Sequence, residues 1–245
     1  MKDLLQSLLS EIHAFYDSIP YRWGYEFLYN TGEACRTETK ILLLTINPKA
    51  DPKKKYPIPE TPWHTAEHAF WAPGNEFKIR KQLHGLFHEL NQALALGGHN
   101  QCSDAQLDAR EFAVKHVIAA SAVPYRTVGA GDISTEMWMF SRYLWRRILD
   151  AWEPRLIVAV GHEAYDFMGQ ILGCAYRAEK EHSLPAHVQT VHNTWIQFQR
   201  PDENRITLAG FPHFARFPAF SENAGQYSAS CDFLRELCRN IDVGE

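Results

Sequence analysis

The sequence predicts an α/β fold, a mostly parallel sheet with helices on both faces, and three observations carry that prediction. Short apolar runs recur at Lys40–Ile46, Lys115–Val123 and Leu156–Val160, as expected of strands buried on both faces. Between them lie segments with apolar residues at helical spacing. Strand–helix–strand alternation of this kind builds parallel sheets with crossover helices. The chain has 245 residues, 45% hydrophobic and 22% charged, the composition of an ordinary globular protein. With no internal repeat, low-complexity tract or long linker, it reads as one domain over 1–245.

Taken in order, residues 2–17 form an amphipathic helix packed on that domain, and Lys40–Ile46 is the first strand. Residues 75–96 carry Phe77, Leu83, Leu86, Phe87, Leu90 and Leu94 at helical spacing. Lys115–Val123 is a second strand, ended by Pro124. A helix over 134–151, closed by Pro154, leads into the third strand, Leu156–Val160. Gly161 turns the chain into a helix over 162–172. Strands follow near Thr190–Phe198 and Ile206–Gly210, then a last helix over about 222–240. The longest irregular stretch, Pro48–Gly74, is rich in Pro and aromatics; loops of that length in compact domains are mostly functional or disordered. Its aromatics argue for an ordered active-site segment. In parallel sheets the ligand lies beyond the carboxyl ends of the strands, which directs attention to Asn47, Ser121, Gly161 and the segment after Gly210.

Several classes are disfavoured. No run approaches the roughly 20 apolar residues of a membrane span, and the amphipathic start is unlike a signal peptide, so a cytoplasmic location is expected. Cys35, Cys102, Cys174, Cys231 and Cys238 are dispersed without a C-x-x-C pair, against a disulfide framework or a thiolate metal site. His182, His187 and His192 are spaced for neither one helix face nor one strand face, so they read as loop histidines rather than a metal set. Walker and G-x-G-x-x-G signatures are absent. Net charge is −4, which leaves nucleic-acid binding to a local patch. Lys53–Lys55 and Arg142, Arg146 and Arg147 are the two basic clusters, either of which is equally a solvated face.

Four segments carry chemistry. The first strand runs into Thr45-Ile46-Asn47-Pro48-Lys49-Ala50-Asp51. There Asn47 holds a water or merely turns the chain, and Asp51 is an alternative general base. Phe70-Trp71-Ala72-Pro73-Gly74-Asn75-Glu76-Phe77 offers an aromatic platform for a flat ring, with Asn75 as a helix cap. Ser121 lies where the second strand emerges. Phe211-Pro212-His213-Phe214-Ala215-Arg216-Phe217-Pro218 places one His and one Arg among aromatics, either as an anion-stabilising donor beside a wedge or as core packing.

In this order the segments resemble the uracil-DNA glycosylase superfamily, most of all its mismatch-specific uracil/thymine branch. That branch has G-I-N-P-G where this chain has Thr45–Lys49. It also has an F-x-x-P-x-N-x-F-W-like stretch where Phe70–Phe77 stands. Glu153–Gly161 is similar to its third motif, and Pro212-His213-Phe214 stands where relatives have H-P-S or N-P-S. The resemblance covers roughly 40–240. It implies a three-layer α/β/α sandwich around a four- or five-stranded sheet, a base flipped into the pocket, and no metal or cofactor. Asn47 would position the attacking water and His213 would stabilise the departing base. Phe70 or Trp71 would stack on the base, with Ser121 and Ile46 beside it. Arg216 or Phe214 would fill the vacated stack, and Lys49 and Asn75 would contact DNA. DNA is the expected partner, bound by a monomer.

Thr45 and Lys49 depart from the glycines of the first motif, and Ser121 stands where several relatives read the base edge with Asn. Serine cannot offer the paired donor and acceptor of an amide, so the expected substrate is a modified pyrimidine rather than plain uracil. Some bacterial relatives act on modified bases of phage DNA. A catalytically silent nucleic-acid- or nucleotide-binding member of the fold and a metal-dependent hydrolase are the competing readings.

Overall fold

The protein is described by a computed structural model over residues 2–20, 23–30, 35, 40–63, 78–98, 106–179, 182–185, 192–202, 204–214, 216–217, 219–220 and 227–241. Six helices are described: α1 (Lys2–Ser18), α2 (Lys78–Leu96), α3 (Ala109–His116), α4 (Thr135–Ala151), α5 (His162–Ala175) and α6 (Tyr227–Asn240). Seven strands are described: β1 (Ile41–Thr45), β2 (Val117–Ser121), β3 (Leu156–Val160), β4 (Arg177–Ala178), β5 (His182–Pro185), β6 (His192–Gln199) and β7 (Arg205–Phe211). They form one sheet in the order β2-β1-β3-β7-β6-β4, with β5 also on β6.

The α/β class and the helices on both faces agree with the sequence; the strand count does not. Four strands, β2, β1, β3 and β7, are parallel, while β6 runs antiparallel to β7, β4 and β5. Only residues 200–204 separate β6 from β7, far too few for a parallel crossover. His182 and His192 lie in β5 and β6, correcting their reading as loop residues. The expected strand over Lys115–Val123 starts later, because Lys115 and His116 close helix α3, and it ends at Ser121.

Alternation along each central strand feeds two cores. Leu42, Leu44, Ile157 and Leu208 pack with Leu8 and Ile12 of α1, Trp145 and Ile148 of α4 and Met168 of α5. Ile41, Leu43, Val158 and Phe211 face Leu86 and Phe87 of α2, Phe112 of α3 and Phe233 and Leu237 of α6. Each such side chain contributes about 1.5–3 kcal/mol on burial, so the sheet is rigid where its ends carry a site. The Trp145 indole donates to the Ala122 carbonyl at 2.9 Å, fixing where the chain leaves β2.

The edge beside β2 is covered by residues 23–30. Leu28 bridges Ala120 antiparallel, the Tyr29 amide donates to Ala119 at 2.8 Å, and the Ser121 amide donates to Phe27 at 3.0 Å. Buried Asn30 clamps the strand, its amide donating to the Val117 carbonyl and accepting from the Ala119 amide. Pairing of this kind closes an edge that would otherwise recruit other chains.

Helix α2 approaches the turn at Phe220 closely at Gly85. A Cβ there would stand 2.6 Å from the Phe220 carbonyl oxygen, and Gln82 beside it accepts the Phe220 amide at 2.7 Å. Gly85→Ala is expected to cost about 1–3 kcal/mol, as overpacking does, read as a lower denaturant midpoint. An unchanged midpoint would contradict this contact. Among the described residues no helix is long and apolar enough to cross a membrane.

Candidate active site

Strand register places the expected site residues along one edge. Thr45 pairs with Ser121, and Leu44, Ala159 and Gly210 share the row below. Thr45, Val160 and Phe211 therefore end β1, β3 and β7 at one level. Asn47 and His213 each follow two residues beyond that level, and Gly161 one residue beyond. With β3 between them, β1 and β7 stand about 9.5 Å apart, two strand spacings. Asn47, Ser121, Gly161 and His213 thus share the carboxyl edge, where sheets of this kind bind ligands.

The loops leaving β1 and β2 are laced together. Ala122 and Val123 amides donate to Thr45 and Ile46 carbonyls at 2.7 and 2.8 Å, and the Ala50 amide to Thr127 at 2.8 Å. On this frame the Asn47 amide nitrogen donates to Thr127 Oγ1 at 2.8 Å and to its neighbour's carbonyl, Pro48 O, at 3.1 Å. Thr127 spends its own hydroxyl proton on the Gly129 carbonyl at 2.6 Å. Both atoms facing the Asn47 amide are therefore acceptors, so its NH₂ must meet them. The amide has one possible orientation, and Oδ1 takes no part in either bond. Asn47 is an oriented acceptor at the mouth of the sheet.

Asp51, the alternative base, is exposed and caps its own turn, accepting the Lys53 amide at 3.0 Å. Lys49 is exposed, and its carbonyl accepts from Arg126 at 3.1 Å. The Arg126 guanidinium pairs with Glu26 and lies 4.2 Å over the Tyr56 ring. The loop bearing Asn47 is held from both sides.

On the far side the Gly161 amide donates to the Phe211 carbonyl at 2.8 Å, and Gly161 has φ +101°. A Cβ there would stand 3.6 Å from His213 Cδ2 and 3.6 Å from Glu163 Oε2. The positive φ is what calls for glycine here; the space beside it would accept a Cβ at ordinary contact distance. The His213 carbonyl accepts the Arg216 and Phe217 amides at 2.9 and 3.1 Å, a tight turn that holds the half-buried imidazole at the edge. Burial lowers its pKa below the usual 6.5, Arg216 lowers it further and Glu163 opposes them. The neutral imidazole, which carries one N–H, is therefore favoured.

Ile46 is buried beside Asn47, and Ser121 is fully buried. Arg216 is exposed. Phe214 corrects the expectation that it contacts DNA: it is 2% exposed and packs edge-on against Phe220 in the core. Of the two residues expected to fill the stack, only Arg216 is exposed. Phe70, Trp71 and Asn75 lie outside the described residues, as do His187 and Cys102.

Tyr29 was not legible in the sequence. Its hydroxyl lies 2.5 Å from Ser121 Oγ and 3.1 Å from Thr45 Oγ1. Burial first, and Glu26 next, push its pKa up to about 12 against the pull of those two bonds. Tyr29 sits in an aperiodic stretch 92 residues before Ser121, so neither periodicity nor motif spacing singles it out.

The basic clusters also separate. Lys53–Lys55 are exposed on the loop that follows Asn47, while Arg142 donates to Gln170 and Arg147 pairs with Glu11. Among the described residues no group of three His, Cys, Asp or Glu is placed to hold a metal ion; His182 instead stacks on Trp195 at 4.0 Å. Set against models of known protein families and against curated proteins, the sequence matches none.

Proposed function

We propose that this chain is a monofunctional DNA glycosylase that hydrolyses the N-glycosidic bond of a flipped, modified pyrimidine and leaves an abasic site. The single observation that carries the reading is the Asn47 amide, whose NH₂ is held by Thr127 and Pro48 so that its carbonyl oxygen is left out of both bonds. A water accepted there attacks C1′ as the C1′–N bond breaks with its electron pair going to the base. This dissociation is oxocarbenium-like, and negative charge grows on the departing base. The neutral His213 N–H is a preorganised donor for that charge, standing two strands away at the same level. The proton the water loses balances the one the base anion gains. Lys53–Lys55 supply the phosphate contacts that a chain of negative net charge must make locally.

Lys49 is the only lysine in the first motif, and it is exposed rather than desolvated in the way an amine nucleophile requires. Abasic sites are therefore expected without strand nicking, and borohydride is expected to trap no protein–DNA adduct. A trapped adduct lost in Lys49→Ala would make Lys49 the nucleophile.

The substrate is tested on duplexes carrying uracil, mismatched thymine or modified cytosines, scored as alkali-labile sites. A modified base is expected to be cut fastest, with Ser121→Asn shifting preference toward uracil. Uracil cut fastest by the wild type, with no gain in Ser121→Asn, would overturn this assignment.

A further inference from the structure

We infer that Arg126 is a positioning residue for Asn47, because its guanidinium ties together the two ends of the loop that follows Asn47. The inference rests on reading Asn47 as the group that orients the attacking water.

Residues 48–50 run alongside Thr127. The Thr127 amide donates to the Pro48 carbonyl at 3.3 Å, and the Ala50 amide donates to the Thr127 carbonyl at 2.8 Å. The Pro48 carbonyl also accepts from the Asn47 side chain at 3.1 Å, so the position of this stretch sets where the Asn47 amide is held. That bridge does not engage the Lys49 carbonyl, which accepts instead from Arg126 Nη1 at 3.1 Å.

The far end of the loop returns to the same guanidinium. The Tyr56 ring lies 4.2 Å from Arg126 Cζ, and the Tyr56 hydroxyl accepts the Asp51 amide at 2.9 Å. Gly24 has φ +81°, which favours glycine, and a Cβ there would stand 3.3 Å from Tyr56 Cβ, a tight contact. Glu26 holds the guanidinium from a third direction, through Nη2, and the Arg126 amide donates to the Gly24 carbonyl at 3.1 Å. Lys53–Lys55 stand exposed between the two anchors.

Stability alone does not account for this placement. Arg126 and Glu26 are each only 15% exposed, and a buried ion pair adds little net stability once desolvation is counted. Arg126 Nε is buried with no hydrogen-bond partner among the described residues, a further cost. What the planar fork provides is geometry, since it meets a carbonyl, a carboxylate and a ring face in fixed directions. A lysine ammonium keeps the charge but has neither the plane nor the fork.

The test is a double-mutant cycle in single-turnover base release at saturating enzyme, with Arg126→Lys made in the wild type and in Asn47→Ala. Arg126→Lys is expected to lower the wild-type rate about 10–100-fold, as a small misplacement of a reacting group does. In Asn47→Ala it should add nothing, because both changes remove the same contribution. A merely structural role would slow both backgrounds by the same factor. That result overturns the proposal, as does an unchanged wild-type rate. A second readout needs no turnover. The Asn47 side-chain NH₂ protons should exchange with water about tenfold faster in Arg126→Lys, while the β1 amides keep their wild-type protection. Equal exchange in the two proteins, or an equal rise in β1, overturns the proposal. Base release from no DNA by the wild type would overturn the glycosylase reading instead, and the exchange measurement then decides by itself whether Arg126 positions Asn47. Should Arg126→Lys not fold, Tyr56→Leu removes the other anchor and is read in the same way.

Discussion

Asn47→Ala is expected to lower single-turnover base release by at least about 10²-fold, the scale on which a group that handles the attacking water contributes. Folding and DNA binding should survive. The side chain is partly exposed, and the frame around it is made by main-chain bonds between 45–50 and 122–127 that the substitution leaves in place. Two further variants separate orientation from presence. Asn47→Asp keeps an acceptor but has no donor for Thr127 Oγ1 or Pro48 O, so the locked orientation is lost and most of the rate with it. Thr127→Val removes one acceptor and leaves Pro48 O, so a smaller loss, about tenfold, is expected. If Asn47→Ala keeps more than about a tenth of the wild-type rate, Asn47 does not position the water.

His213→Ala is the second large effect, expected at about 10²–10³-fold in rate, as for the loss of one preorganised donor at a developing anion. Its protonation can be followed independently of turnover through the imidazole proton resonances. His213 should titrate below 6.5, with its position set by burial and its two charged neighbours. Glu163→Gln removes the neighbour that raises the value and should move the titration further down. Arg216→Ala removes one that lowers it and should move the titration up. The sign for stability follows. A histidine whose folded pKa lies below its unfolded value contributes fully above about 6.5, and that contribution is lost as pH falls through the folded pKa. Titration of His213 at or above 6.5 would contradict the neutral-donor role.

The central strands were readable because each is a short, continuous apolar run. Leu156–Val160 is β3 to the residue, and the expected helix over 134–151 differs from α4 by one position. Those strands, with the rule that ligands sit at their carboxyl ends, were enough to nominate Asn47, Ser121, Gly161 and His213. Short polar strands were not readable. Arg177–Ala178 is exposed, and β5 ends in a proline, so neither shows alternation. Helix α3 was missed because only Ala109, Phe112 and Ala113 are buried on it, too few for a period. Its capping box, Asp108 with Glu111, was the available signal. The antiparallel β6–β7 pair was also legible in principle, from the five residues between the strands. Phe214 shows the opposite failure. Proximity in sequence to a candidate histidine made it look functional, and only packing against Phe211 and Phe220 reveals a core residue. Tyr29 belongs to neither class, since its contact with Ser121 and Thr45 crosses the sheet edge and no local pattern encodes it.

The central claim is tested most directly by quantifying free base released in single turnover from the DNA panel by the wild-type chain and by Asn47→Ala. The account predicts free base and an equal amount of unnicked abasic site from at least one modified-pyrimidine duplex with the wild type. Release should fall at least about 10²-fold in Asn47→Ala at undiminished DNA binding. Release from no duplex, or release at the same rate in both proteins, would contradict it.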